Sequence, residues 1–321
     1  VVKKATKKTA KKPIKKTAKK TASKKISPND QAVASLLELI RITSTVMPVD
    51  VDRALKKAQG VEEKNTTASY AMDIISDNIA IAKTKSQPLC QDTGTVIFYV
   101  YHPAGFHQIP FTKLIHKAVM TATKKGYLRH NSVDSLTGEN AGTNLGPGHP
   151  SINYVEHTGK TLEVKMMLKG GGCENVSAQY SLPDTGLSAG RDLDGVRKVI
   201  LDAVIKAQGK GCGPGVLGVC VGGDRADSHK HAKKQLFRKF GERSKNKELV
   251  KLETEIVETC NKLGIGPMGF GGKTTILECF IDHLNRLPAS FFVSISYMCW
   301  SYRRQGAIFD TKTMKLKKWL Y

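Results

Sequence analysis

The sequence predicts a mixed α/β fold in one compact domain, preceded by a disordered Lys-rich N-terminal tail. Three observations carry this expectation. Segments with apolar residues at helical spacing alternate with short apolar runs of strand length. The glycines gather between those segments rather than inside them. The first residues form a low-complexity repeat with too little apolar surface to pack.

The tail occupies residues 1–28. Within it Lys7-Lys8-Thr9-Ala10-Lys11-Lys12 recurs as Lys15-Lys16-Thr17-Ala18-Lys19-Lys20. Order is expected to begin near Ser27-Pro28-Asn29-Asp30, with Asp30 as N-cap and Val33, Leu36, Leu37 and Ile40 on one helical face. Val51 to Ala58 and Ala68 to Lys83 read as further helices, joined by Gly60 to Thr67. A strand follows at Thr95 to Tyr101, then a helix at Phe111 to Lys125. Ile152 to Glu156 and Leu162 to Leu168 read as strands around a turn at Thr158-Gly159-Lys160. Gly190 to Gln208 is helical, with Val196, Val199, Ile200 and Val204 on one side. Gly215 to Gly222 is a buried strand, Asp227 to Phe240 and Lys247 to Leu263 are helices, and Phe292 to Met298 is a strand. The folded domain is placed at 29–305, with 306–321 as a C-terminal extension.

Composition narrows the function. The chain has 321 residues, 40% apolar and 25% charged, which suits a globular protein with a well-buried core. No apolar run approaches the ~18–20 residues that span a bilayer, so no membrane partner is expected. The N-terminus has no apolar signal region and no Arg, which points to the cytoplasm. Of the net charge of +23, twelve Lys lie between Val1 and Lys25 with no acid, and +11 remains on the body. Such a tail can bind nucleic acid non-specifically through phosphates, or simply be a solvated extension.

Four glycine-rich loops interrupt the body: Asn144 to Gly148, Lys169 to Cys173, Gly211 to Gly215, and Gly264 to Thr275. The last ends Gly271-Gly272-Lys273-Thr274 and invites comparison with a nucleotide P-loop. That pattern needs a glycine where this chain has Pro267. A carboxylate-binding or structural loop is the better reading.

Seven cysteines stand at 90, 173, 212, 220, 260, 279 and 299, none at zinc-ligand spacing. The odd count in a chain of this length argues against a disulfide framework. Cys220, Cys260 and Cys279 fall in regular segments and read as small core residues. Cys90 opens Cys90-Gln91-Asp92-Thr93-Gly94, Cys212 opens Cys212-Gly213-Pro214-Gly215, and Cys299 lies in Tyr297-Met298-Cys299-Trp300-Ser301-Tyr302-Arg303-Arg304. Loops of this kind leave room for a bulky iron–sulfur group close to the backbone. Cys173 is open to either reading, because its glycine loop can approach the same place.

In order and approximate spacing, several landmarks resemble the N-terminal domain or α subunit of class I fumarases and L(+)-tartrate dehydratases. They are Pro88-Leu89-Cys90-Gln91-Asp92-Thr93-Gly94, Leu128-Arg129, Lys169-Gly170-Gly171-Gly172, Cys212 with Gly222-Gly223, Gly264-Ile265-Gly266 with Gly271-Gly272-Lys273, and the Cys299 segment. The resemblance implies a class I fumarase N-terminal-domain-like fold and a [4Fe–4S] cluster held by Cys90, Cys212 and Cys299, with one iron open to substrate. It implies reversible hydration of fumarate to malate, or the corresponding reaction of a related dicarboxylate such as tartrate. By the same resemblance Asp92, Gln91 and Thr93 fall at the reaction centre, with Asp92 as candidate proton carrier. Arg129, Gly170, Gly171 and Gly172 fall on the substrate. Read alone, Asp92-Thr93 is equally a turn and Arg129 a surface cation.

Two departures follow. Single-chain members of that family carry a second domain that completes the site. This sequence reaches Tyr321 about where that domain would begin, so a separate β subunit, or a longer chain, is expected, with a dimer of the two-chain unit. Members also often have a His where this chain has Leu287, in Arg286-Leu287-Pro288-Ala289-Ser290.

Overall fold

The computed structural model describes Val1 and residues 26–321; the Lys-rich repeat of the tail lies outside the described residues. The first helix, α1, spans Pro28–Thr45, and its N-cap is Ser27 rather than Asp30. Ser27 Oγ accepts the Asp30 N–H (3.2 Å) and donates to the Asp30 carboxylate (2.8 Å). Pro28 therefore takes the first helical position, where its missing N–H costs nothing. Next come α2 (Val49–Val61) and α3 (Thr67–Lys85), the latter started by a reciprocal Thr66–Ser69 cap. Pro28–Val61 is long and apolar enough by length and composition to cross a membrane. Pro48 divides it, however, and 61% of its most apolar window is buried inside the protein. Glu38 and Arg41 break up the run, which hides it in the sequence.

The rest of the chain builds two sheets. In order it forms β1 (Thr95–Pro103), α4 (Gln108–Lys124), β2 (Ser151–His157), β3 (Leu162–Lys169), α5 (Gly171–Asn175), β4 (Ala178–Ser181) and α6 (Leu193–Ala207). It continues with β5 (Gly215–Gly222), α7 (Arg225–Gln235), α8 (Lys247–Lys262), β6 (Ile276–Leu284), β7 (Phe292–Met298), β8 (Arg303–Phe309) and β9 (Leu316–Trp319). One sheet has the order β2-β1-β3-β8-β9, the other β4-β7-β5-β6. The β1–β2 and β5–β6 pairs are parallel and the rest antiparallel.

Two features of this topology have no marker in the sequence. The strands on either side of Thr158-Gly159-Lys160 do not pair, because β1 lies between them. The reason is that β1 is apolar on both faces. Val96, Phe98 and Val100 face a core shared with α1 and α4, while Ile97 and Tyr99 face a core shared with α2 and α3, so β1 is covered on both faces and its backbone groups, shut off from water, need a partner strand on each edge. Residues 306–321, set apart as an extension, run through β8 and β9 of the five-stranded sheet, and Tyr321 Oη donates to the Phe237 carbonyl (2.5 Å). β8 opens with Arg303 and Arg304, both essentially buried, so its sequence lacks the apolar run that marks a strand.

A third core packs the four-stranded sheet on α6 and α8 through Val196, Ile200, Leu217, Ile256 and Ile281. The core beneath α2 and α3 joins the sheets, with Met167 from one against Val216, Phe280 and Met298 from the other. Arg304 is locked into this interior. It donates to Asp50 through Nη1 (3.2 Å) and Nη2 (2.6 Å), and its guanidinium lies over the Tyr321 ring.

The glycine loop before β6 is closed from within. Glu62, 7% exposed, accepts the N–H groups of Lys273 and Thr274 (2.8 Å each). Those are amides a phosphate would need, and a strand rather than a helix follows, so the loop is not a nucleotide cradle. Glu62→Ala strands both donors and is expected to lower unfolding free energy by about 2–4 kcal/mol, as measured by a urea titration.

Candidate active site

The chain crosses between its two sheets at two places that meet. One crossing is Gly170 to Ser177, leading from β3 to β4; the other is Cys299 to Tyr302, leading from β7 to β8. Register puts the start of β1, the end of β3 and the start of β8 at one end of the first sheet, since Thr95 pairs with Lys169 and Leu168 with Arg303. In the second sheet the start of β5 lies beside the end of β7, with Val216 paired to Met298. The loops carrying Cys90, Gly170 to Cys173, Cys212 and Cys299 all leave from these strand ends.

Hydrogen bonds tie the loops together. Asp92 accepts the Gly94 N–H at Oδ1 (2.8 Å) and the Gly171 N–H at Oδ2 (2.7 Å), while its carbonyl accepts from Arg303 Nη1 (2.6 Å). Gly94 has φ +74 and a Cβ there would run into the Lys169 backbone, so this close approach requires glycine. The Trp300 N–H donates to the Cys212 carbonyl (3.1 Å), joining the third and fourth loops. Cys212 is itself in the left-handed region (φ 52, ψ 60), a costly backbone for a non-glycine residue that its surroundings must hold in place.

Each residue named from the sequence is placed as follows. Cys90 and Cys212 are half-buried and Cys299 is buried. Asp92 is half-buried and Gln91 exposed. Thr93 is 2% exposed, and its Oγ1 accepts the Arg129 N–H (2.8 Å), so it anchors the backbone of the candidate carboxylate-binding residue. Cys90, Gln91, Arg129 and His130 line one open cleft of about 740 Å³. Gly170 is buried against Asp92, whereas Gly171 and Gly172 reach the surface. Leu287 lies elsewhere. Its loop follows the Gly222–Leu284 end of the parallel β5–β6 pair, whereas Cys212 precedes the other end. Eight strand residues, roughly 25 Å, separate that loop from Cys212, and Leu287 is 73% exposed.

Four thiols influence one another here. Burial pushes the Cys212 thiol up, reinforced by nearby Cys173, Cys90 and Asp92. Cys173 is pulled down, first by its interaction with Cys299, with Lys169 and the Cys299 N–H adding to it. Cys299 is pushed up by the same contact and by burial. The remaining thiols are plain core groups: burial raises Cys220 and Cys260 to about 12 and Cys279 well above its ordinary value.

The surroundings suit an anionic iron–sulfur group. Thiolates are the donors such clusters take. Arg303, 1% exposed, has an Nε with no hydrogen-bond partner, and buried Ser301 Oγ also lacks one. Unpaired buried donors beside a thiol set are costly unless something accepts from them. Among the described residues no three His, Cys, Asp or Glu side chains are placed to hold a single metal ion.

Sequence reasoning missed Arg303, the tie between Asp92 and the Cys299 loop, and His130 in the cleft. It also missed Lys169, which is fully buried and donates to Glu174 (3.2 Å) and Ser177 (3.1 Å) behind the glycine loop. Arg303 stood in the quoted Cys299 segment. Its burial has no sequence signal beyond the strand it begins.

Residues 33–308 match the family model "Fumarate hydratase (Fumerase)". A Geobacillus stearothermophilus protein named for class I fumarate hydratase is 50% identical over 290 residues, covering 89% of this chain and 56% of its own length. A Methanocaldococcus jannaschii protein named for L(+)-tartrate dehydratase subunit alpha is 37% identical over 275 residues, covering 84% and 94%. L(+)-tartrate dehydratase subunit alpha of Escherichia coli K12 is 29% identical over 285 residues, covering 87% and 92%. The chain thus spans about half of the first relative and nearly all of the two α subunits. With the family model matched across most of its length, the chain belongs to the fumarate hydratase (fumerase) family of hydro-lyases.

Proposed function

We propose that this chain is the α component of a hydro-lyase that adds water reversibly across the double bond of a trans dicarboxylate, fumarate being favoured over a tartrate-type substrate. The observation that carries the reading is the meeting of Cys90, Cys212 and Cys299 with Asp92, Gln91 and Arg129 at the shared strand ends. Cys90, Cys212 and Cys299 are the residues that would hold a [4Fe–4S] cluster, which supplies a Lewis acid for the departing or entering hydroxyl. Arg129 offers a planar fork for one substrate carboxylate, on a backbone held by Thr93. Gln91 lines the same cleft and orients the substrate. Gly170 to Gly172 let the backbone come close to it. Asp92 is the proton carrier, its position set by the amides of Gly94 and Gly171 and by Arg303.

The open cleft and the relatives named as α subunits support a second chain that completes the site; the pairing of two such two-chain units as a dimer is part of the proposal. The isolated, cluster-loaded chain is expected to be inactive, and hydration of fumarate should exceed dehydration of tartrate once the partner is added. Turnover by the isolated chain would contradict the two-chain reading. In the assembled enzyme Arg129→Lys is expected to raise KM for the dicarboxylate about tenfold to a hundredfold, with a smaller change in kcat. Initial rates over a substrate range check this.

The tail composition supports a second, separate property, non-specific nucleic-acid binding. It is tested by salt-dependent binding to duplex DNA that disappears on deleting residues 1–25.

A further inference from the structure

The function proposed above uses three of the thiols at the strand ends and leaves Cys173 over. Cys173 is not placed like the other spare cysteines. It is 4% exposed, on the short helix that follows the glycine loop, and its Sγ accepts the backbone N–H of Cys299 at 3.3 Å. Both are free thiols. Each is held in place. The Cys173 carbonyl accepts from Ser177 Oγ (2.7 Å), which in turn accepts from Lys169 Nζ (3.1 Å). Cys299 is pinned by its own N–H and by the short crossing to β8. A non-ligand thiol is thus fixed against one of the three proposed ligands.

We propose that Cys173 and Cys299 are a redox-active pair, which a peroxide joins as a disulfide when no cluster occupies the site, blocking reloading until a thiol reduces it. The blocking role rests on the assignment of Cys299 as a ligand; the pairing rests on geometry alone. The chemistry balances. One sulfur attacks the O–O bond of hydrogen peroxide, becoming a sulfenic acid and releasing water. The second thiol displaces the hydroxyl group as a second water while the S–S bond forms. Two thiols and one peroxide become one disulfide and two waters, the peroxide taking two electrons. Exchange with two equivalents of an added thiol returns both side chains. Once joined, Cys299 has no thiolate to offer, so iron cannot be held by all three ligands.

The test uses the full chain stripped of iron, as wild type and as Cys173→Ala, treated with hydrogen peroxide and then divided. One portion is digested without reduction for peptide mass analysis, and the other is supplied anaerobically with iron and sulfide. The wild type is expected to give a peptide pair joining Cys173 to Cys299, two hydrogens lighter than the free peptides. Its iron uptake should fall at least tenfold and return with dithiothreitol. Reduced Cys173→Ala should load iron as the wild type does, because Cys173 is not a ligand, and should form no linked pair involving Cys299. A different linkage, or none, overturns the pairing. The expected linkage with undiminished iron uptake overturns the blocking role. Failure of the reduced wild type to load any iron overturns the cluster assignment and the blocking role with it, while the mapped bond still decides the pairing.

Discussion

Asp50→Ala is expected to destabilise the protein by about 3–5 kcal/mol, because it leaves Arg304 buried without its counter-charge. Arg304 is fully buried, and Asp50 also accepts the Phe240 N–H (3.0 Å), so the pair ties α2 to the start of β8 in the five-stranded sheet. Replacing both partners, Asp50→Leu with Arg304→Met, should recover most of the loss, since the desolvation of two charges disappears with them. An exposed pair such as Lys56–Asp52 is worth under about 1 kcal/mol by comparison. Burial raises the Asp50 carboxyl, but the Arg304 hydrogen bond and charge and the Phe240 amide outweigh it, leaving it below its ordinary 3.8. A depressed carboxylate stabilises the fold above its unfolded value and loses that contribution as pH falls below 3.8 toward the folded value. Asp50→Ala should therefore narrow its gap from the wild type in urea titrations as pH drops through that range.

Asp92→Asn is expected to reduce kcat of the assembled enzyme by about a hundredfold to ten-thousandfold, the usual worth of a positioned proton-transfer group. Asparagine keeps the shape and one oxygen, so it can still accept from Gly171 but cannot accept from Gly94 as well. The structural penalty is correspondingly about 1–2 kcal/mol, far too small to explain the loss of rate. Iron content should be unchanged, which separates failure of proton transfer from failure to hold the cluster. Steady-state rates, urea titration and iron analysis on one preparation distinguish these effects.

Helices with one-sided periodicity, such as α6, and strands that are continuous apolar runs, such as β5, were legible in the sequence. Elements whose pattern is masked by buried polar groups were not. β8 begins with two buried arginines, and each is buried for a reason that lies elsewhere in the chain: Asp50 for Arg304, Asp92 for Arg303. The β2–β1–β3 order was hidden because a Thr-Gly-Lys turn looks local, while the demand of β1 for two neighbours is not. For the site, the polar glycine and proline loops around Cys90, Cys212 and Cys299 stood out against cysteines in regular segments, and those loops meet in space. That Thr93 holds Arg129, that Glu62 fills the Lys273 loop, and that Cys173 lies against Cys299 are contacts between distant residues, which spacing along the chain cannot report.

The measurement that bears most directly on the proposed function is anaerobic iron and sulfide analysis of the reconstituted chain, for the wild type, Cys90→Ser, Cys212→Ser, Cys299→Ser and the core control Cys260→Ser. The expected result is about four irons per chain in the wild type and in Cys260→Ser, with little or none retained in the other three. Iron loading that survives any one of those three substitutions, or a wild type that binds none, would contradict the site.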